Sequence, residues 1–357
     1  GGHDTTRGMW YNLGLVSQAF QIMQTQIIQK YEEFSGLRED WDQALQGCTR
    51  PDLFLTFDWF LSWWENLSQG YALNLILLTD EATGSLGIAP LMRRGDALSF
   101  LAGHEVTDYC DFLFPRGREG KFLEALLAYA TQPSTGISCM ELINLRLTSP
   151  TLSLVSELAP SFGFRSRQEK SEETQQLMLP ASYPEYTAGL GRKCRHELRR
   201  KARRAEALPQ ARVERASRPE EVGPAMKAFI ALHREGNPGK GRFWEKPGMP
   251  GFFRDVASRL AEQGQIELLS LYAGGEAGPV ASLITAHYGR TVYFYNVAYA
   301  QAYAAASPGY YLFDLAIRQA IAEERELADF LRGREKYKLD FGARSSTIYS
   351  LKLDKVT

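Results

Sequence analysis

Three strand-like runs follow one another in the second half of the chain, at residues 266–272, 279–287 and 291–299. Glycines mark the turns between them, at Gly274-Gly275 and Gly289. Helical patterns precede the runs, a helix is predicted from Pro308 to about Glu323, and a further strand is predicted over residues 328–332. This order of elements predicts an α+β unit built around a mixed sheet.

The first half shows the same mixture of helix and strand signals. Thr56 is a plausible N-cap residue for one of its helices. A polar stretch at residues 166–174 is expected to interrupt the apolar pattern. The predicted strands are 22–29, 73–79, 86–93, 140–147 and 175–179, and the other predicted helices are 32–46, 121–131 and 152–158.

The two halves share an order of elements, which suggests duplication without detectable sequence identity. A length of 357 residues is close to that of two typical domains. We therefore predict an N-terminal domain over residues 24–180 and a C-terminal domain over 181–357. Residues 1–23 are expected to form an N-terminal extension.

Composition limits the classes of protein that the chain can belong to. The 41 Lys and Arg residues balance 42 Asp and Glu residues, for a net charge of −1, which argues against general coating of nucleic acid. Four cysteines lie far apart and form no CxxC pair, so no metal site and no disulfide framework is predicted. No apolar stretch reaches the roughly 20 residues of a membrane span. These features predict a cytoplasmic protein with reduced thiols.

A basic run lies at the start of the second half. Residues 192–204 contain eight Lys and Arg residues and neither proline nor glycine, which predicts a helix. Such a helix is most often a solvated face. It could instead bind CoA phosphates, an anionic polymer or tRNA.

One candidate site lies where a helix is predicted to begin after the strand 291–299. Ser307 suits the N-cap position, Pro308 suits the first helical turn, and Gly309 permits close approach of a ligand to the backbone. The free N–H groups and the dipole of a helix start both favour an anion. An ordinary capped helix would have the same sequence, so both interpretations stay open.

A second candidate site lies at the end of the strand 328–332. Its polar side chains could supply a base, an acid and contacts to an anion. A solvated loop with ion pairs is the alternative. The candidate residues are Asp329, Arg332, Glu335, Tyr337 and Lys338.

Two further features have open alternatives. His233 falls on a predicted apolar helix face, so it is either a buried histidine or a base facing a cleft between the halves. Asp108 and Asp111 lie in a short polar stretch that is either a capped turn or an acceptor-binding site.

Several segments resemble the CelD-like (cellulose biosynthesis) acetyltransferase family, a branch of the GNAT superfamily of acyltransferases. The most specific are SPGYYLFDLAIRQAIAE at 307–323 and DFLRGREKYK at 329–338. Further support comes from GRKCRHELRRKARR at 191–204, DWDQAL at 40–45, FLTFDWFLSWW at 54–64 and IAPLMRR at 88–94.

The resemblance implies two tandem GNAT-like domains, each a mixed sheet flanked by helices, in a layout similar to Fem-type aminoacyltransferases. Acetyl-CoA or another acyl-CoA would lie between splayed strands of the C-terminal domain, without a metal. Its pyrophosphate would rest on the loop and helix start after the strand 291–299. The residues carried over to this role are Ala305, Ala306, Ser307, Gly309 and Tyr310.

The implied reaction is direct transfer of an acyl group from CoA to an amine. Tyr337 would act as the acid for the thiolate, and Glu335 or Asp329 would act as the base. Arg332 and Lys338 would bind an acidic acceptor. Asp108 and Asp111 would also contact the acceptor.

The resemblance suggests that the acceptor is a small molecule or saccharide that carries an amine, as in polysaccharide or cell-envelope biosynthesis. Two alternatives stay open. One is a Fem-like transferase that uses aminoacyl-tRNA, with the basic helix contacting tRNA. The other is a non-catalytic GNAT scaffold in an exopolysaccharide assembly.

Overall fold

A computed structural model describes residues 23–103, 105–236 and 238–356, without the side chains of 238–240. The predicted N-terminal extension lies outside the described residues, apart from residue 23. The described strands are β1 (Met23–Ile28), β2 (Ala72–Leu73), β3 (Leu75–Asp80), β4 (Ser85–Ala89), β5 (Leu91–Arg94), β6 (Ala97–Phe100), β7 (Cys139–Arg146), β8 (Phe164–Met178), β9 (Arg212–Ala216), β10 (Ile266–Tyr272), β11 (Ala281–Tyr288), β12 (Thr291–Tyr299), β13 (Leu327–Arg332) and β14 (Arg344–Lys355).

Helices cover both faces of these strands. The described α-helices are α1 (Tyr31–Ser35), α2 (Arg38–Gly47), α3 (Phe57–Leu67), α4 (Glu119–Thr131), α5 (Pro150–Leu158), α6 (Tyr183–Gly189), α7 (Arg192–Glu206), α8 (Pro219–Gly236), α9 (Pro238–Glu245), α10 (Met249–Glu262), α11 (Pro308–Ala322) and α12 (Lys336–Asp340). The predicted α+β class is confirmed, and α7 confirms the helix predicted from the basic run.

One large mixed sheet joins the two halves of the chain. Its strand order is β2-β5-β6-β7-β14-β8-β13-β12-β11-β10-β9, while β1, β3 and β4 form a separate small sheet. The last strand of the chain, β14, therefore pairs with β7 of the first half, and β8 of the first half pairs with β13 of the second. Because β14 of the second half lies between β7 and β8 of the first, and β8 pairs with β13 of the second, the two halves form one continuous structure. The division of the chain at residue 180 stays a prediction.

Strand β8 corrects one sequence-based expectation. The polar stretch 166–174 does not interrupt the fold, because it continues as strand and pairs in antiparallel register with β14. Backbone hydrogen bonds to a strand about 180 residues later in the chain hold it, so no local apolar alternation was needed. The helix predicted over 32–46 was also wrong as one unit, since the structure breaks it between α1 and α2 at Gly36 and Leu37.

The same arrangement occurs in both halves. Strand β12 is followed by α11 and then by β13, which pairs in parallel with β12 only over Thr291–Tyr293. Likewise β6 is followed by α4 and then by β7, which pairs in parallel with β6 only over Ala97–Ser99. Beyond these short ladders the strands of each pair diverge. The predicted tandem arrangement is visible in this repetition.

The opening in the first half is filled by the chain itself. The described residues of the segment between β6 and α4, 101–103 and 105–116, are largely buried. Its Cys110 N–H donates to the carbonyl of Asn144 on β7 at 3.1 Å, and the Asn144 amide donates to the Thr107 carbonyl at 2.8 Å. On its other side Leu113 forms a bridge with Ile88 of β4. The corresponding divergence in the second half is the one between β12 and β13.

Aromatic side chains fill the seam between the halves. Trp59 of α3 packs edge-on against Phe252 of α10 and Tyr295 of β12, with ring centroids 5.4 and 5.5 Å apart. Phe54 packs against Tyr293 of β12 at 5.8 Å. This packing holds one face of β12 in place, and the other face of the strand contacts α11.

Candidate functional site

The site begins with the divergence of β12 from β13. A bulge in β12 accompanies it, because Ile284 of β11 pairs with Asn296 whereas Thr285 pairs with Phe294, which leaves Tyr295 as the extra residue. Strand β13 is irregular at Leu331, a non-glycine residue with φ of +60°. Bulges bend a strand and re-aim its side chains. Here two irregular strands separate at the point where α11 begins.

A cavity of about 200 Å³ lies beside the end of β12, where α11 begins. It is bordered by Val297 and Tyr299 of β12, by the start of α11, and by Tyr337 of α12. The sequence-predicted residues Ser307, Gly309, Tyr310 and Tyr337 all line it, and so does Lys201 of the basic helix α7. The structure therefore brings the predicted anion site and the predicted acid into one cavity, although they are nearly 30 residues apart in sequence.

The start of α11 differs in detail from the expectation. Ser307 stands at the N-cap with φ of +55°, but its side chain caps no N–H group of the described chain. Instead its carbonyl accepts from the Tyr311 N–H at 3.2 Å. Pro308 brings no N–H, so Gly309 and Tyr310 carry the N–H groups that a helix start leaves available.

Gly309 lies tightly against β12. A Cβ atom added there would come within 3.2 Å of Cγ2 of Val297. Ala305 and Ala306 belong to a short 3₁₀ helix, residues 301–306, that leads into the same turn. Neither alanine borders the cavity, whereas their neighbour Ala304 does.

Tyr337 of α12 borders the cavity together with the start of α11. Its ring packs on Phe313 of α11, with centroids 5.2 Å apart. Burial raises the pKa of the Tyr337 hydroxyl, and the nearby Glu335 carboxylate adds to the effect. The hydroxyl therefore holds its proton at neutral pH and can donate it.

The residues around Tyr337 are connected by hydrogen bonds and ion pairs. Lys338 is buried; its ammonium donates to the Arg332 carbonyl at 2.6 Å and lies 3.0 Å from the Glu335 carboxylate. Arg332 in turn donates through Nε to Oδ1 of Asp108 at 2.5 Å. Thus Asp108, Arg332 and Lys338, predicted to contact an acceptor, link the filling segment of the first half to the helix that carries Tyr337.

Asp329 lies away from the cavity, in a buried polar cluster between the halves. Its Oδ2 accepts from the Tyr109 hydroxyl and from the Gln176 amide, both at 2.8 Å, and its Oδ1 accepts from the Leu331 N–H. Arg146 lies 3.6 Å from Oδ2 of Asp329. Burial raises the pKa of Asp329. Both carboxylate oxygens of Asp329 therefore accept hydrogen bonds inside the protein. This arrangement suits a structural role better than proton transfer.

Asp111 and His233 are also engaged internally. Asp111 accepts from the Ser149 and Thr151 hydroxyls, each at 2.6 Å, and burial raises its pKa. Nδ1 of His233 accepts from the Trp244 indole N–H at 2.8 Å, so the neutral ring carries its proton on Nε2. His233 borders a separate small cavity behind β12, together with Gly236 and Gln301.

Sequence reasoning missed two residues that the structure places prominently. Lys201 was considered only as part of a basic run. No signal in the sequence predicts that it lies beside the helix that begins about 100 residues later. Arg146 lies between Asp52 and Asp329 and covers the Tyr109 ring. Its signal was an arginine at the end of a predicted strand.

A family model matches part of the second half of the chain. Residues 192–339 match the model described as "Acetyltransferase (GNAT) domain". The matched range contains β12, the start of α11 and Tyr337. The resemblance to GNAT proteins is confirmed for this domain, whereas the narrower CelD-like assignment stays a prediction.

Solved structures with the same fold cover most of the chain. The structure of FemX matches with a TM-score of 0.62 and 12% identity, over 92% of this chain and 96% of that one. L-PGS from Bacillus licheniformis matches with a TM-score of 0.56 and 12% identity, over 89% and 92%. A tandem GNAT protein from the clavulanic acid biosynthesis pathway matches with a TM-score of 0.50 and 10% identity, over 92% and 98%.

These similarities confirm the predicted tandem GNAT-like fold. At 10–12% identity they concern the fold alone. A search of curated proteins gave no sequence match.

Within the described residues, helices long and apolar enough to cross a bilayer are absent. The same part of the chain contains no cluster of three or more His, Cys, Asp or Glu side chains arranged to hold a metal ion.

Proposed function

We propose that the protein is an acyl-CoA-dependent N-acyltransferase whose C-terminal half binds the donor and performs the chemistry. The observation that carries the proposal is the shared cavity beside β12, which the start of α11 and Tyr337 both line. In the N-terminal half the described residues 105–116 fill the equivalent opening, and Asp108 among them binds Arg332 beside the site. The further role of this half is to shape the approach of the acceptor.

The proposed reaction is a direct aminolysis of the thioester. The acceptor nitrogen attacks the carbonyl carbon, the C–N bond forms as the C–S bond breaks, and the thiolate takes a proton from the Tyr337 hydroxyl. Solvent then returns a proton to Tyr337. The attacking amine loses its proton to water or to Glu335, whose side chain is exposed at the N-cap of α12.

The acceptor is proposed to be an amine on a small molecule or saccharide. A direct test is to incubate the protein with acetyl-CoA and with longer acyl-CoAs, each against a panel of amino sugars and amino acids. Mass spectrometry reads the acyl addition, and a thiol reagent reads free CoA. Donor-dependent acylation of an amine supports the proposal. Binding of CoA without transfer to any amine would favour the non-catalytic scaffold.

A second candidate function is a transferase that takes its acyl group from aminoacyl-tRNA. One feature favours it: α7 carries six exposed cations and contributes Lys201 to the cavity. The exposed cations are Arg192, Lys193, Arg199, Arg200, Arg203 and Arg204.

Salt dependence distinguishes the two donors. Binding of tRNA by α7 would weaken steeply with salt, because each neutralised phosphate releases counterions. Reversal of Arg199, Arg200 and Arg203 to Glu would then abolish it. If the same triple variant keeps acyl transfer from acetyl-CoA, and charged tRNA donates nothing, the tRNA candidate is excluded.

A further inference from the structure

A second cavity, of about 460 Å³, lies at the end of the ladder that β8 forms with β14, beside α6. Its volume falls within the range of about 300–1,000 Å³ that is typical of ligand sites. Among the described residues, it shares no lining residue with the cavity at the start of α11. The two cavities are therefore separate, and the proposed acyl transfer does not account for this one.

Apolar side chains line much of the second cavity. Leu177 of β8 and Tyr186 and Leu190 from the region of α6 are buried there. The Tyr186 hydroxyl donates to the Phe341 carbonyl at 3.0 Å, which holds the ring in place. Met178 also borders the cavity and is 72% exposed. An apolar lining with a flexible, exposed methionine at its border is typical of a binding surface.

Two opposite charges border the same cavity, Glu185 of α6 and Arg344 of β14. Both residues are exposed. Neither side chain forms an ion pair or a hydrogen bond with any residue that the structure describes, so the two are not paired with each other. By contrast, Glu173 on the same strand pair is bound by Lys170 at 3.0 Å. A ligand with one cationic and one anionic end can therefore bind both charges without displacing an existing contact.

Backbone groups of β14 are also available at this cavity. Strand β14 pairs with β8 from Arg344 onward, but it pairs with β7 only from Ile348 onward. Residues 344–346 border the cavity and, within the described part of the chain, have a strand partner on one side only. An extended peptide can add to such an edge through backbone hydrogen bonds while its side chains enter neighbouring pockets.

We propose that this second cavity binds a short apolar peptide with free ends. Arg344 binds the carboxylate of the peptide, and Glu185 binds its ammonium group. The apolar side chains of the peptide contact Leu177 and Tyr186, and its backbone pairs with the edge of β14 at 344–346. This inference goes beyond the proposed function and does not depend on acyl transfer.

Calorimetry with leucyl-leucine and three related probes tests the proposal. The N-acetylated dipeptide lacks the ammonium group, and the C-terminal amide lacks the carboxylate. Each should bind the wild type about tenfold more weakly than leucyl-leucine, as expected for loss of one partly exposed charge-assisted contact. Free leucine should also bind more weakly, because it has no peptide backbone to pair with β14.

Two variants assign the charges. Arg344→Gln should bind leucyl-leucine about tenfold more weakly and should no longer distinguish it from its amide, while it still discriminates against the N-acetylated form. Glu185→Gln should show the converse. Arg165→Gln is the matched control, because Arg165 is an exposed arginine of β8 that does not line the cavity. It should bind all four probes like the wild type.

Absence of leucyl-leucine binding by the wild type would overturn the proposal. Unchanged discrimination among the probes in either variant would also overturn it, since the charge concerned would then not contact the ligand. Binding of leucine as tight as that of leucyl-leucine would overturn the assignment to a peptide.

CoA binding separates this inference from the proposed function. The wild type, Arg344→Gln and Glu185→Gln should bind CoA equally, because neither residue lines the cavity at the start of α11. Failure to find a peptide site thus leaves the acyltransferase proposal standing, and failure to find acyl transfer leaves the peptide site standing.

Discussion

Tyr337→Phe removes one hydroxyl and preserves the ring that packs on Phe313. Among the described residues that hydroxyl has no hydrogen-bond partner, so its loss should change the free energy of unfolding by less than about 1 kcal/mol. The effect on catalysis should be far larger. General acid catalysis contributes about 10²–10⁴-fold, which corresponds to about 2.7–5.4 kcal/mol of barrier height.

The assay is acyl transfer to the best amine acceptor, followed as free CoA at saturating and at low donor concentration. The turnover number should fall by about 10²–10⁴-fold while the dissociation constant of the acyl-CoA stays within about twofold, because the hydroxyl acts in the transition state. Burial raises the pKa of Tyr337, so deprotonation of this residue should cause no alkaline decline of the wild-type rate below about pH 10.

Tyr349→Phe is the control, since Tyr349 lies on β14, away from the cavity. It should be nearly silent. Normal turnover in Tyr337→Phe, with confirmed transfer by the wild type, would refute the assignment of the acid. A loss of CoA affinity equal to the loss of turnover would refute the reasoning in another way, because it would make Tyr337 a binding residue.

Three further changes test the rest of the account. Gly309→Val places a side chain within 3.2 Å of Val297 and into the cavity, so CoA binding measured by calorimetry should fall at least tenfold while the protein stays folded; unchanged affinity would contradict the donor site. Asp108→Ala leaves the Arg332 guanidinium without its closest partner and should cost about 3 kcal/mol in urea unfolding; a cost below about 1 kcal/mol would show that the pair does not hold the site together. Burial raises the pKa of Asp111 above its ordinary value of 3.8, so its contribution to stability is present below that value and is lost as pH rises through the raised pKa. The stability of the wild type relative to Asp111→Asn should therefore fall as the pH rises above about 4 in urea unfolding, and a rise with pH would contradict the assignment.

Local signals explain what the sequence could predict. The Ser-Pro-Gly start of α11 and the polar end of β13 are each encoded within about ten residues, so both were found. The helix start and Tyr337 line the cavity, whereas Asp329 does not. The strands β10, β11 and β12 were predicted for the same reason, since short runs and glycine turns define them. Tyr337 followed from its position after a strand end together with the resemblance.

Contacts between distant segments explain what could not be predicted. Asp329 was expected to act as a base because it lies close in sequence to Tyr337, but Tyr109 and Gln176 of the first half bind it in the seam. Lys201 reaches the cavity only because α7 packs beside α11. A polar segment became part of β8 because β14 pairs with it. Sequence periodicity carries no information about these pairings.

A crystal structure of the protein with a non-hydrolysable acyl-CoA tests the central claim most directly. The account predicts that the pantetheine arm lies between β12 and β13, with the diphosphate at the start of α11 and the sulfur within hydrogen-bonding reach of the Tyr337 hydroxyl. A CoA bound in the first half of the chain, or bound with its sulfur away from Tyr337, would contradict it.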